Sequence, residues 1–168
     1  VNSVLEEYFS EIAFRDLLCD VLIPSYNMQT RDFVFFKRTN FTQNFRVFDG
    51  VRATMSAQVY FKPHNINGMP YVDGGNGLNN PAGVALKEAR TKANGKKINI
   101  LNFGTGKLEK PLDPNMGKIK WLLNMPNILM TEAEQLVVSS LQYEFDPTLP
   151  SKASDLGTYL FCDSVIQY

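Results

Sequence analysis

The sequence predicts an α/β fold, built in layers with at least a partly parallel sheet. Its 168 residues are 44% hydrophobic and 12% aromatic, which excludes a disordered chain and permits a core of ordinary size. Apolar residues at helical spacing alternate along the chain with β-branched and aromatic runs, and this alternation indicates layers of helices and strands. Because no repeat or long linker divides the sequence, we expect residues 1–168 to form a single domain.

The first elements predicted are a helix and two paired strands. Apolar residues recur at helical spacing near the start of the chain: Val4, Leu5, Tyr8, Phe9 and Ile12. Ser3 and Glu6 are spaced as a capping box for this helix. Residues 19–27 and 32–37 are β-branched and aromatic runs joined by a polar turn, which predicts paired strands. Pro24 lacks an N–H group, so its strand is expected at a sheet edge or with a bulge.

The middle of the chain predicts two helices around a strand. Residues 49–59 carry three apolar side chains four apart, and Asp49 is available as the cap of this helix. A short strand ends at Asp73 and runs into two glycines. Another helix is expected to start with Asn80 as its cap and Pro81 in its first position.

The last third predicts strands on either side of a helical region. Residues 98–103 form a β-prone run that stops at a glycine-containing turn. After the segment 121–123, which contains the tryptophan, Thr131 and Glu134 are spaced as a capping box that would open a helix. The extended run 158–166 is expected to form the final strand.

Charge and cysteine content limit the functional classes. Seventeen basic and seventeen acidic residues give zero net charge, which argues against a nucleic-acid partner. The zero combines an excess of six positive charges in residues 87–120 with five negative in 121–168 and one negative in 1–86. The basic segment either faces anionic lipid or is a solvated helix face. Cys19 and Cys162 match no ligand spacing and are interpreted as free thiols.

Few residues could carry catalysis. The motifs G-x-S-x-G and H-E-x-x-H are absent from the sequence. His64, the single histidine, follows a proline in a polar, turn-like stretch and is expected at the surface. The most informative residues are Asp73, Gly74 and Gly75, because open α/β sheets bind ligands at the carboxyl ends of their strands and glycines permit close approach. Asp-Gly is also a common turn dipeptide, so a purely structural role stays open.

Three segments of the chain resemble motifs of the patatin-like phospholipases. Residues 71–75 (YVDGG) with 79–81 (NNP) resemble the family's Asp-Gly-Gly/Ala and Asn-Asn-Pro signature. Residues 51–63 (VRATMSAQVYFKP) resemble its Arg-Ala-Ser-x-Ala-x-Pro-x-x-Phe-x-Pro segment, and 100–106 (ILNFGTG) its Leu-Ser-Leu-Gly-Thr-Gly strand and turn. The resemblance implies a three-layer α/β/α fold, with this chain as its C-terminal portion and a mixed sheet.

The resemblance also implies a chemistry. Patatin-like enzymes hydrolyse acyl esters of lipids with a serine nucleophile whose only side-chain partner is an aspartate, and Asp73 matches that aspartate. Gly74 and Gly75 belong to the motif around it. The implied substrate is a phospholipid or another acyl lipid, with peripheral membrane contact, and neither a metal nor another cofactor is expected. Gln58 replaces the usual proline, a change expected to relax a turn without touching the chemistry.

Two motifs of the family's active site are missing from these residues. None of the nine serines has the glycine neighbours of a nucleophile elbow, and the glycine-rich oxyanion loop is also absent. The sequence is therefore expected to be the Asp-bearing part of the catalytic domain, with the serine on an N-terminal segment that it lacks. The alternative is a catalytically incomplete module that binds lipid or protein. The cytoplasm, a membrane surface and secretion as an effector all fit as locations.

Overall fold

The chain forms two compact units, Val1–Leu78 and Asn79–Tyr168. The computed structural model describes residues 2–9, 11–39, 45–58, 60–104, 107–108, 111–146, 156–162 and 165–166. Helices and strands occur in both units, which confirms the predicted α/β class. Within the described residues, no helix is both long and apolar enough to cross a membrane.

The first unit consists of an antiparallel sheet with short helices. Its elements are α1 (Asn2–Phe9), β1 (Leu22–Asn27), β2 (Asp32–Lys37), α2 (Val47–Thr54), β3 (His64–Ile66), β4 (Met69–Asp73) and α3 (Gly75–Leu78). The four strands lie in the order β2-β1-β4-β3, and each neighbouring pair is antiparallel. The predicted strand pair is confirmed as β1 and β2, which run in register from Leu22 opposite Lys37 to Asn27 opposite Asp32.

Aromatic side chains form the core of the first unit. Phe36 of β2 is completely buried, with the rings of Phe45 and Tyr71 at centroid distances of 4.9 and 5.5 Å. Phe14 stacks on Phe36 with a centroid distance of 6.2 Å. Gly50 of α2 leaves room for this ring, because a Cβ there would lie 2.7 Å from Phe14 Cζ. The core therefore fixes α2 against the sheet and holds the end of β4 in place.

Three expectations for the first unit need correction. α1 begins at Asn2, so Ser3 lies inside the helix rather than at its cap. β1 is an inner strand, with β2 on one side and β4 on the other. β4 pairs only with Ser25 to Asn27, so at Pro24 the strand has a paired neighbour on the β2 side alone. α2 begins after Arg46 and ends at Thr54; Asp49 lies in its first turn, where its carboxylate pairs with Arg46 instead of capping the helix.

The second unit contains parallel strand pairs and the longest helix. Its elements are α4 (Ala82–Lys92), β5 (Ile98–Phe103), β6 (Lys107–Leu108), α5 (Lys118–Phe145), β7 (Leu156–Cys162) and β8 (Val165–Ile166). β5 pairs with β7 and β6 with β8, both in parallel. The parallel pairing predicted from helix and strand alternation is thus present, in separate sheets from the antiparallel strands of the first unit.

Two boundaries in the second unit differ from expectation. The Asn80 side chain accepts a hydrogen bond from Ala82 N–H, as a cap would, but Pro81 precedes the helix and α4 begins at Ala82. Thr131 opens no helix, because α5 runs unbroken for 28 residues with Pro126 inside it. The Thr131 hydroxyl instead donates to the Asn127 carbonyl one turn earlier. Thr105 and Gly106 of the predicted turn lie outside the described residues.

Candidate active site

Asp73 is the last residue of β4, and its backbone is held from three directions. Its N–H group donates to the Ser56 carbonyl at 3.0 Å, and the Gln58 side-chain amide donates to its carbonyl at 3.1 Å. On the neighbouring strand β1, Ser25 lies opposite Asp73 in the register. These contacts bring the segment after α2 against the end of β4 and fix the position of the Asp73 backbone, from which its side chain extends.

The Asp73 carboxylate is half-buried and has one defined hydrogen bond. Its Oδ1 accepts the Gly75 N–H group at 2.8 Å, at the first residue of α3. Burial removes water from the carboxylate and raises its pKa above the ordinary value, while the hydrogen bond from Gly75 opposes this change. The result is a carboxylate that is more basic than an exposed aspartate.

The two glycines after Asp73 have different surroundings. A Cβ on Gly75 would lie 3.2 Å from Asp73 Oδ1, closer than ordinary packing allows. A Cβ on Gly74 would meet the Ser25 backbone at 3.5 Å, an ordinary contact distance. The absence of a side chain at Gly75 thus lets its N–H group approach the carboxylate.

A cavity of about 270 Å³ opens beside the Asp73 carboxylate. Its lining residues, all in the first unit, are Tyr26, Phe33, Gln58, Asp73, Gly74 and Gly77. The rings of Tyr26 and Phe33 meet edge to face at a centroid distance of 5.6 Å and form an aromatic wall. Small-molecule sites commonly combine such a wall with one or two polar groups.

The serines closest to Asp73 in the chain fold have structural roles. Ser25 and Ser56 are completely buried. The Ser25 hydroxyl donates to the Val72 carbonyl at 2.7 Å, and the Ser56 hydroxyl donates to the Arg52 carbonyl at 2.9 Å. Neither hydroxyl is available to attack a substrate. The Ser25 hydroxyl and the Ser56 backbone carbonyl instead hold β4 in position. Ser10, Ser151, Ser154 and Ser164 lie outside the described residues.

Gln58 contributes to the site, although the sequence pattern suggested only a relaxed turn. Its amide holds the Asp73 carbonyl, and its side chain lines the cavity. The proline usual at this position in the resembling motif has no side-chain donor, so it cannot make this bond. The departure at Gln58 was the available signal, but its consequence depends on a contact 15 residues away in sequence.

His64 lies elsewhere, and its expected surface position is wrong. Its side chain is 18% exposed at the start of β3, with Nε2 at 3.0 Å from Asp49 Oδ1. Asp49 also pairs with Arg46, whose guanidinium lies over the Phe48 ring. None of these side chains lines the Asp73 cavity.

The Asn-Asn-Pro segment (79–81) and the strand of the 100–106 motif meet in the second unit. The Asn80 amide donates to Asn102 Oδ1 at 3.3 Å, and the Asn102 amide donates to the Tyr159 hydroxyl at 3.1 Å. Asn80 and Asn102 are both buried, so these bonds connect the start of α4 to the strands β5 and β7. The Asn-Asn-Pro segment has a structural role here. Across the described ranges, histidine, cysteine and carboxylate side chains form no group of three that could hold a metal ion.

Comparison with known proteins agrees with these motifs. A family model for patatin-like phospholipases matches residues 1–86, just over half of the 168 residues. The chain is 32% identical over 126 residues to a cGAMP-activated phospholipase of Escherichia coli, covering 67% of this chain and 35% of the relative. It is 33% identical over 119 residues to a cGAMP-activated phospholipase of Vibrio cholerae serotype O1, covering 62% of this chain and 34% of the relative.

The chain therefore spans about a third of the length of the curated relatives it matches. The matched family region contains the whole Asp73 site, including β1, β2 and the segment that carries Gln58. This 168-residue chain belongs to the patatin-like phospholipase family.

Proposed function

We propose that this protein hydrolyses acyl esters of phospholipids and that Asp73 is the aspartate of its Ser-Asp dyad. The observation that carries the proposal is the Asp73 carboxylate itself. It stands at a strand end beside an aromatic-walled cavity, half-buried and oriented by the Gly75 N–H group. A carboxylate in this setting is suited to accept a proton from a substrate-facing hydroxyl.

The proposed reaction passes through an acyl-enzyme. The serine Oγ attacks the ester carbonyl carbon while Asp73 accepts the hydroxyl proton. Since Gly75 holds Oδ1, we assign Oδ2 as the oxygen that faces the serine. Collapse of the tetrahedral intermediate breaks the ester bond, and the proton passes to the departing lysolipid oxygen. Water then attacks the acyl-serine and gives its proton to Asp73. Collapse of this second tetrahedral intermediate breaks the bond between the acyl carbon and the serine Oγ, Asp73 returns the proton to Oγ, and the free fatty acid leaves.

The nucleophile in this proposal comes from outside the 168 residues. The sequence contains no G-x-S-x-G, and the described serines nearest Asp73 are buried with their hydroxyls bonded to backbone carbonyls. The oxyanion donors would come from the same additional segment, since the chain also lacks the glycine-rich loop. Each such donor is commonly worth about 3–4 kcal/mol of transition-state stabilisation.

We extend the relatives' nucleotide dependence to the whole protein as part of the proposal. Both relatives are named as cGAMP-activated phospholipases. An assay without the nucleotide could therefore find an intact but unstimulated enzyme. Every activity measurement on the longer protein should be made with and without cGAMP.

Fatty-acid release from phospholipid vesicles tests the proposal. The protein assayed is the longer reading frame that contains these residues and a serine elbow upstream. Replacing Asp73 by Asn should reduce kcat by about a hundredfold or more, because the proton acceptor is removed and the fold is retained. The control is Asp20→Asn, which alters a surface ion pair with Arg38 and should leave turnover within about twofold.

Wild-type turnover by the Asp73→Asn protein would refute the dyad. The catalytically incomplete module is tested in the same assay. If the intact wild-type protein releases no fatty acid with cGAMP present, yet sediments with vesicles, the binding function replaces the hydrolase proposal.

A further inference from the structure

The helix α5 has two halves of different character. From residue 118 to residue 131 its charged side chains are Lys118 and Lys120, and the first carboxylate is Glu132. We call residues 118–131 the apolar half of α5. The remaining residues, to Phe145, form an ordinary amphipathic helix that contains three glutamates.

Large apolar side chains in the apolar half are exposed. Ile119, Leu122 and Leu123 expose 77%, 69% and 68% of their surface. Three further exposed side chains lie in this half: Trp121, Met125 and Leu129. Soluble proteins rarely present so many large apolar side chains together, and such patches mark interaction surfaces.

The C-terminal half is the part of α5 that is anchored. Leu141 is only 2% exposed, and α5 packs against β7 and α4. Arg90 of α4 also pairs with Glu144 at 2.9 Å. The apolar half therefore extends from a helix whose other end is fixed.

The distribution of side chains around the helix favours a lipid surface over a protein partner. At about 100° per residue, the apolar side chains of residues 119–130 cover an arc of about 220°, and Lys118, the first residue of the helix, also lies within this arc. A surface helix of a globular protein typically packs through an apolar stripe of about 100° or somewhat more, which is narrower than this arc. The remaining arc is polar and is formed by Lys120, Asn124, Asn127 and Thr131. A helix lying in a membrane interface has this wide apolar side with a polar side toward water.

The charge and the length of the apolar half indicate how it would contact a membrane. Lys118 and Lys120 are exposed at the start of the helix, where they can meet anionic headgroups. Trp121, 42% exposed, is a residue type that lies well at the headgroup level. Fourteen helical residues span about 21 Å, too short for a hydrocarbon core of about 30 Å.

We propose that the apolar half of α5 inserts into the interfacial layer of an anionic phospholipid bilayer. Lys120 contacts the headgroups from the polar side, and Lys118 reaches them from the end of the helix along its flexible side chain. Leu122 and Leu129, near the middle of the apolar arc, enter the acyl region. The inference goes beyond the proposed hydrolase and needs no contribution from Asp73. A protein that binds membranes without hydrolysing their lipids would still show this insertion.

Vesicle sedimentation with a matched pair of leucine variants tests the insertion. The probe is a vesicle of equal parts phosphatidylglycerol and phosphatidylcholine. Leu122→Ser should weaken binding roughly tenfold, because it removes an inserted apolar side chain. Leu136→Ser is the control: this leucine lies in the other half of the same helix and is 70% exposed, nearly the same as Leu122. It should leave binding within about twofold.

Trp121 supplies a second readout, since it is the single tryptophan of the chain. Its emission should shift to shorter wavelength when vesicles are added, and Leu122→Ser should reduce the shift. Circular dichroism of each variant checks that the fold is retained.

The lysines are tested separately. Changing Lys118 and Lys120 together to Gln should weaken binding to the anionic vesicles about tenfold and remove most of its salt dependence. The same change at Lys96 and Lys97, exposed lysines before β5, is the control and should have a much smaller effect.

Three results would overturn the insertion. One is failure of the wild-type chain to bind the anionic vesicles; another is equal weakening by Leu122→Ser and Leu136→Ser. The third is self-association through α5, detected by sedimentation velocity, together with an unchanged Trp121 spectrum on adding vesicles. Asp73→Asn should bind vesicles like the wild type, so the outcome is separable from that of the hydrolase assay.

Discussion

Gly74 and Gly75 are adjacent, but a side chain at each would meet different neighbours. The Gly75→Ala methyl group would press on the Asp73 carboxylate from 3.2 Å, whereas Gly74→Ala would make an ordinary contact with Ser25. We expect Gly75→Ala to lower kcat about tenfold, because displacement of a catalytic group by a few tenths of an ångström is costly. Gly74→Ala should stay within about threefold. Fatty-acid release by the longer protein measures both, and equal effects would contradict the distinction.

Burial of the ionised Asp73 carboxylate should lower the free energy of unfolding at neutral pH. Desolvation raises the pKa of Asp73 above its unfolded value of 3.8. Between the unfolded and folded pKa values of Asp73, the folded state binds more protons than the unfolded state. The stabilisation that comes from protonated Asp73 is therefore fully present below pH 3.8 and is lost as pH rises through the folded pKa. Asp73→Asn should therefore be at least as stable as the wild type at pH 7, and its advantage should vanish in acid.

Urea unfolding of the 168-residue chain at several pH values measures this difference, with Asp20→Asn as the control. A variant that was less stable at neutral pH would indicate that Asp73 serves the fold rather than the site. A base of raised pKa also predicts the direction of the activity profile. The rate of acyl transfer should rise with pH through the pKa of Asp73.

Sequence reasoning identified Asp73 but missed most of its neighbours, for a physical reason. Asp73 and its glycines form a local pattern that is readable along seven or eight residues. Ser25 and Ser56 hold β4 through contacts that depend on how the chain folds back. Gln58 was visible only as a departure from a motif, and its bond to Asp73 is a tertiary contact. A local pattern can thus propose a reacting group, but it does not reveal which distant residues hold that group in place.

Two aromatic residues of β2, three positions apart and on opposite faces of the strand, contribute unequally to stability. Phe36 is completely buried among three aromatic rings, whereas Phe33 is 44% exposed beside the cavity. Phe36→Ala should lower the free energy of unfolding by about 3–5 kcal/mol, the usual cost of emptying such a core position. Phe33→Ala should cost about 1 kcal/mol or less. Urea unfolding measures both variants. A similar loss of unfolding free energy for both would contradict the assignment of Phe36 to the core face and Phe33 to the cavity face of β2.

Elements with a strong local signal were predicted well. The β1–β2 pair and β5, which runs from Ile98 to Phe103 as expected, combine β-prone residues with clear turn or glycine boundaries. β3 was missed, although Asn67-Gly68 is a typical hairpin turn and both residues adopt positive φ. β3 is only three residues long, and it contains His64, which the sequence pattern placed in a turn.

The single helix α5 shows how a local rule can mislead. Thr131 and Glu134 have capping-box spacing, and Pro126 suggests a break before them. The helix nevertheless continues through both, and Thr131 satisfies its hydroxyl on the preceding turn. A side-chain bond to a carbonyl four residues back is an alternative to capping that spacing alone cannot distinguish.

For the chain as a whole, the proposal separates binding from catalysis. The 168-residue chain carries the aspartate and the apolar half of α5, but no serine with a nucleophile elbow. We expect the purified chain to bind anionic vesicles and to release no fatty acid from them. It should also fail to react with a serine-directed fluorophosphonate. Covalent labelling of one of its nine serines would contradict the assignment of the nucleophile to another segment.

The central claim is that Asp73 activates a serine. The most direct measurement is the rate at which a fluorophosphonate labels that serine in the longer protein with cGAMP present, because labelling requires an activated hydroxyl but no lipid surface. The proposal predicts that Asp73→Asn lowers the labelling rate about a hundredfold, while Asp20→Asn labels like the wild type. Equal labelling rates for Asp73→Asn and the wild type would contradict it.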